Sequence, residues 1–75
     1  MTYLELAYRY QSQPGETELR ALDSVREVYG IQRIGFEEKE HTVRVLYDAS
    51  RLSEDSVARL LRQAGLDITD KLALA

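Results

Sequence analysis

Hydrophobic and polar residues alternate along Tyr3 to Tyr10, YLELAYRY, placing Leu4, Leu6, Tyr8 and Tyr10 on one face and Tyr3, Glu5, Ala7 and Arg9 on the other. Period two is the mark of a half-buried strand. Ser12-Gln13-Pro14-Gly15 follows as turn chemistry, with Pro setting φ and Gly supplying freedom. The period then lengthens. Leu19, Leu22, Val25 and Val28 or Tyr29 recur every three or four residues, which predicts an amphipathic helix over Glu16 to Tyr29. Glu16 and Glu18 stand in its first turn, where the helix dipole favours negative charge. Gly30 suits the left-handed position just after the helix end. The chain then enters a second strand, Ile31 to Glu38, with Ile34 and Phe36 facing the helix and Arg33 and Glu37 facing away.

Glu37-Glu38-Lys39-Glu40-His41 is a polar reversal, so the segment from His41 or Thr42 to Tyr47 returns as a hairpin strand. Val43, Val45 and Tyr47 point inward, and Thr42, Arg44 and Leu46 outward. Asp48 to Leu52 is a loop. Ser53 caps a second helix with Glu54 and Asp55 in its first turn. Val57, Leu60, Leu61 and Ala64 form that helix's stripe, and Gly65 stops it. Leu66 to Leu72 reads as an edge strand anchored by Ile68, and Leu72 to Ala75 as either an ordered end or a frayed one. The order is βαββαβ, with no repeat and no long linker. Residues 1–75 are therefore expected to form one α+β domain, a ferredoxin-like sandwich with a four-stranded antiparallel sheet and both helices on one face. Right-handed crossovers put the strands in the spatial order 4-1-3-2. The uncovered face would present Tyr3, Ala7, Arg9, Arg33, Arg44 and Leu46, either solvated, with arginines balancing Glu5 and Glu37, or as an interface.

Composition narrows the chemistry. Hydrophobic residues at 44% and charged residues at 31% suit a globular chain rather than a disordered one. The absence of cysteine removes disulfides and thiolate metal sites. A formal charge of −3 argues against nucleic acid, whose binding draws on Lys and Arg. The RNP1 pattern and paired aromatics of RNA-recognition motifs are also missing. No signal-like segment and no run of roughly 18 apolar residues occurs, so a cytoplasmic domain without membrane insertion is expected. His41 has no Ser or Cys nucleophile at a recognisable spacing, Ser50, Ser53 and Ser56 read as loop and cap residues, and the Glu37/Glu38 pair sits on an exposed turn. No enzyme is expected.

Three stretches together resemble a known family. Gly30-Ile31 follows a helix, Val43-Arg44-Val45-Leu46-Tyr47-Asp48 forms a strand, and a second helix ends Leu60-Leu61-Arg62-Gln63-Ala64-Gly65. The set resembles the heavy-metal-associated domain of copper chaperones and of the N-terminal regions of metal-transporting P-type ATPases, from the first strand to the last. The resemblance implies the same fold and an association with metal transport. It also implies a Cys-x-x-Cys at the first helix entrance, usually preceded by Gly-Met-Thr, holding Cu(I), Zn(II) or related ions. Those positions fall here on Pro14 and Thr17, and Leu66 replaces the aromatic ring often found after Ala-Gly. Soft-ion affinity rests on thiolates, so no metal-binding residue carries over.

The topology gathers the first loop, the hairpin tip and the turn after the second helix at one end, with Glu16, Glu18, Glu38, Glu40, His41 and Asp67 in one neighbourhood. One imidazole with several carboxylates can hold Zn(II), Ni(II) or a harder ion. The plainer expectation is a solvated acidic tip bearing a histidine, with no cofactor. The functional expectation is a non-enzymatic docking domain linked to metal transport or homeostasis. It would recognise a protein partner through residues 11–18 and 37–41 or through the sheet face. The alternative is a regulatory dimerisation module, like the ACT domains, with no metal role.

Overall fold

Alternation along Tyr3–Tyr10 does produce a strand, β1, one of the two central ones in the computed structural model, which describes residues 2–72. The following elements are α1 (Glu16–Val25), β2 (Ile31–Glu37), a single 3-10 turn (Glu38–Glu40), β3 (Thr42–Asp48), α2 (Glu54–Gln63) and β4 (Ile68–Leu72). The strands form one antiparallel sheet in the order β2-β3-β1-β4, the arrangement that right-handed crossovers require. The fold is a ferredoxin-like α+β sandwich. Among the described residues no helix is long and apolar enough to cross a membrane.

One continuous core lies between sheet and helices. Leu6, Tyr8 and Tyr10 of β1 and Val43, Val45 and Tyr47 of β3 are buried against Leu22 and Val25 of α1 and Val57 and Leu61 of α2. Ser53 caps α2 by accepting the Ser56 N–H at 3.1 Å, as its position before Glu54 and Asp55 predicts. Leu66 and Ile68 close the core beside α2.

Several local expectations need correction. α1 ends at Val25 rather than Tyr29. Its last turn tightens into i→i+3 bonds, Glu27 N–H to Ser24 O and Val28 N–H to Val25 O, both near 3 Å. A separate β-turn, closed by Ile31 N–H to Val28 O at 3.0 Å, then swings the chain into β2. Gly30 is left-handed, as expected, but serves this turn (φ 104°) and not the helix cap. Tyr29 consequently points away from the core and is 70% exposed. Leu4 is 48% exposed despite its core phase. Leu19, at the start of the helical stripe, is exposed too.

Two residues assigned to the open face are in fact covered. Ala7 is 1% exposed, flanked in register by the much larger Arg44 and Leu72. Thr42 is 3% exposed, lying between Arg9 and Glu37 with its hydroxyl donated to Glu40 O at 3.1 Å. β2 and β4 run slightly shorter than expected, and residues 73–75 of the expected C-terminal end lie outside the described ones.

The glycines give a test. A Cβ on Gly35 would meet nothing within 4 Å, and its φ is not positive, so Gly35→Ala should stabilise by about 0.5–1 kcal/mol. A Cβ on Gly30 would sit 3.0 Å from Leu52 at a φ of 104°, so Gly30→Ala should destabilise by more than about 1 kcal/mol. Urea unfolding of the two variants checks both signs.

Candidate functional site

The loop end is built from β1 outward. Tyr10 N–H donates to His41 O at 2.8 Å and Gln11 N–H to Asp67 O at 2.9 Å, so the last residues of β1 tie the hairpin tip to the turn after α2. Gln13 completes the junction. It accepts the Tyr10 hydroxyl at 3.3 Å and donates its amide to Glu38 O at 3.2 Å. The Tyr10 ring stacks on His41 with centroids 5.4 Å apart and meets Phe36 edge-on at 6.1 Å. Burial, and then the nearby Glu38 charge, push the Tyr10 hydroxyl above its ordinary value of 10.0, which keeps it a donor. The three connections therefore meet at one end, as the topology implies.

The candidate ligands lie at this end without forming a coordination set. Glu16 pairs with Arg20 at 2.6 Å on the surface. Glu18 accepts the Gly15 N–H at 3.2 Å, half of a capping box. A Cβ on Gly65 would stand 3.0 Å from the Glu18 side chain, so this glycine lets the α2–β4 turn pass the helix entrance. Glu38 and Glu40 are exposed and contribute backbone carbonyls, while His41 takes a left-handed φ of 50°. Among the described residues no three His, Cys, Asp or Glu side chains come together as a group able to hold a metal. Pro14 is half-buried and Thr17 exposed in the first turn of α1. Glu18, Glu38, Glu40 and Asp67 against Lys39 leave a local charge of −3, equal to the formal charge of the whole chain.

The open sheet face is organised by Arg44. Its Nη1 lies 3.2 Å from Glu5 and its Nε 3.2 Å from Glu37, bridging β1 and β2 across β3. Arg9 and Arg33 enter no ion pair among the described residues. Leu46 is half-buried and Tyr3 exposed, and they lie among these charges rather than in a continuous apolar patch.

At the opposite pole a second constellation stands where the sequence reading placed a loop and a packing tyrosine. Asp48 is 4% exposed. Its Oδ1 accepts the Ser50 hydroxyl at 2.6 Å and the Ser50 N–H at 3.0 Å, and its own N–H donates to Gly30 O at 2.7 Å. Arg51 Nε stands 3.8 Å from Asp48 Oδ2, and the Arg51 guanidinium lies 4.3 Å over the Tyr29 ring. The Asp-x-Ser spacing, a sign of an Asx-turn, was legible. The stacking partner Tyr29 was not, because it depends on where α1 stops.

No family model matches the chain, and no curated protein matches it either. Among solved structures, the solution structure of a protein of Bacillus anthracis str. Ames named for copper-ion binding superposes with a TM-score of 0.73. It is 20% identical, and the match covers 91% of this chain and 97% of that one. The fold is shared. At that identity the likeness speaks for architecture alone.

Asp48 yields a pH test. The Ser50 hydroxyl, then the Ser50 N–H, hold its carboxyl below the ordinary 3.8. A carboxylate depressed on folding stabilises above its unfolded value, and that contribution is lost as pH falls towards the folded value. Ser50→Ala should therefore lower stability at neutral pH, with the gap to the parent narrowing as pH falls below 3.8; urea unfolding across roughly pH 2 to 7 measures it.

Proposed function

We propose that this chain is a non-enzymatic docking domain of the heavy-metal-associated type, linked to metal-ion transport or homeostasis and working without a metal site of its own. The observation that carries the reading is the loop end. Where that family's cysteines would stand, Pro14 and Thr17 offer no thiolate, yet the end is firmly braced and holds the chain's whole excess negative charge. Gln13, Tyr10 and His41 tie the loops together, which limits the entropy lost when a partner binds. The charge favours a partner with a basic surface, acting chiefly through association rate and orientation. The metal connection is taken from the family resemblance and agrees with the name of the fold neighbour, a protein called copper-ion-binding. In this reading the partner is a domain that itself carries Cys-x-x-Cys.

Titration of labelled protein with Zn(II), Ni(II) and Cu(I), followed at Glu16 to Glu18, Glu38 to His41 and Asp67, tests the absence of a site. Only diffuse, non-saturating shifts are expected. Saturable micromolar shifts lost in His41→Ala would make the chain a metal carrier instead. With a basic Cys-x-x-Cys domain as titrant, the shifts should map to residues 11–18 and 37–41. That binding should weaken several-fold as salt rises from roughly 0.05 to 0.3 M, where the Debye length falls below about 10 Å. A stable homodimer in sedimentation equilibrium, with no such binding, would favour the regulatory dimerisation module.

A further inference from the structure

We propose that the cleft at the pole opposite the loop end binds a small-molecule oxyanion, a carboxylate or a phosphate, on the free edge of the Arg51 guanidinium. The cleft has a volume of about 340 Å³, with Tyr29, Gly30, Arg51 and the buried Asp48 among its walls. That size lies at the lower end of ligand sites, roughly 300–1,000 Å³.

The guanidinium is held in place before any ligand arrives. One face lies 4.3 Å over the Tyr29 ring. Its Nε edge faces Asp48 Oδ2 at 3.8 Å, and Asp48 is itself fixed by the two Ser50 donors. The Nη groups meet no acceptor among the described residues, and the side chain is 49% exposed. A planar fork held in this way offers two parallel N–H donors to two oxygens of one anion. The rotamer freedom that an arginine normally loses on binding is already restricted.

The neighbouring backbone has matching polarity. In the Val28–Ile31 turn the N–H groups of Tyr29 and Gly30 donate to no backbone carbonyl among the described residues. Successive turn N–H groups beside a left-handed residue form a concavity that attracts anions. Tyr29, 70% exposed, supplies an apolar wall for the body of the ligand. Among the described residues the charges lining the cleft are Arg26, Glu27, Asp48 and Arg51. Arg26 is already engaged by Asp23 and by Ile34 O, and Glu27 opposes multiple negative charge. A singly charged oxyanion joined to a flat apolar group fits best. Nothing here depends on the docking role of the other end.

The test is a set of separate titrations of the full labelled chain with acetate, benzoate, inorganic phosphate and phenyl phosphate, following the Tyr29 and Gly30 amides and the Arg51 Nε–H. Saturable shifts confined to this pole are expected, with benzoate binding more tightly than acetate. Arg51→Lys keeps the charge but loses the fork, and should weaken binding about tenfold. Tyr29→Ala should remove the advantage of benzoate over acetate. Phosphates binding more tightly than carboxylates would support the oxyanion site and assign it to phosphate esters. Shifts that fail to saturate, or that persist unchanged in a folded Arg51→Ala variant, would overturn the proposal.

Discussion

Burial of one sheet face beneath only two helices is the constraint on which the rest of this structure depends. β1 and β3 occupy the centre of the sheet, so their inward residues carry the core, and α1 and α2 close it with Leu22, Val25, Val57 and Leu61. Each such side chain contributes about 1.5–3 kcal/mol on full burial, and no disulfide supplements the sum. The tyrosines among them must also satisfy a hydroxyl. Tyr10 does so on Gln13, and in that way the core reaches out and organises the loop end.

Both ends of the sandwich are consequently well defined, for different reasons. At one end, side chains and carbonyls link three connections, and Gly65 allows two of them to pass closely. At the other, Gly30 packs against Leu52 and accepts the Asp48 N–H, while Asp48 orders Ser50 and faces Arg51. Loops fixed on a rigid scaffold are where binding groups are usually found. The two poles differ in electrostatic character, one strongly acidic and the other balanced around an oriented guanidinium.

Between the poles the open sheet face is a managed surface. The Arg44 bridge to Glu5 and Glu37 is half-exposed, and pairs of this kind contribute about 0–1 kcal/mol. Its effect is to flank and cover Ala7 more than to stabilise the sheet. The outer strand β2 is blunted as well, with Arg26 donating to the Ile34 carbonyl at 3.3 Å. An occupied edge carbonyl discourages stray strand pairing.

The amino-acid sequence by itself determined the element order, the strand order and most of the core. Those follow from periodicity, turn residues and the handedness of crossovers, all of which act locally or by general rule. The resemblance to a metal-binding family set only an expectation, that the motif's thiolate positions fall at Pro14 and Thr17. Tertiary structure alone decided where α1 stops, because a β-turn at Val28–Ile31 outcompeted a helical pattern that was still apolar at Val28 and Tyr29. That stop exposes Tyr29 and lets it meet Arg51, residues 22 positions apart with no shared periodicity. Tertiary structure likewise covered Ala7 and Thr42 and uncovered Leu4. Exposure depends on the size of cross-strand neighbours and on what packs over a residue, and neither is written in its own phase.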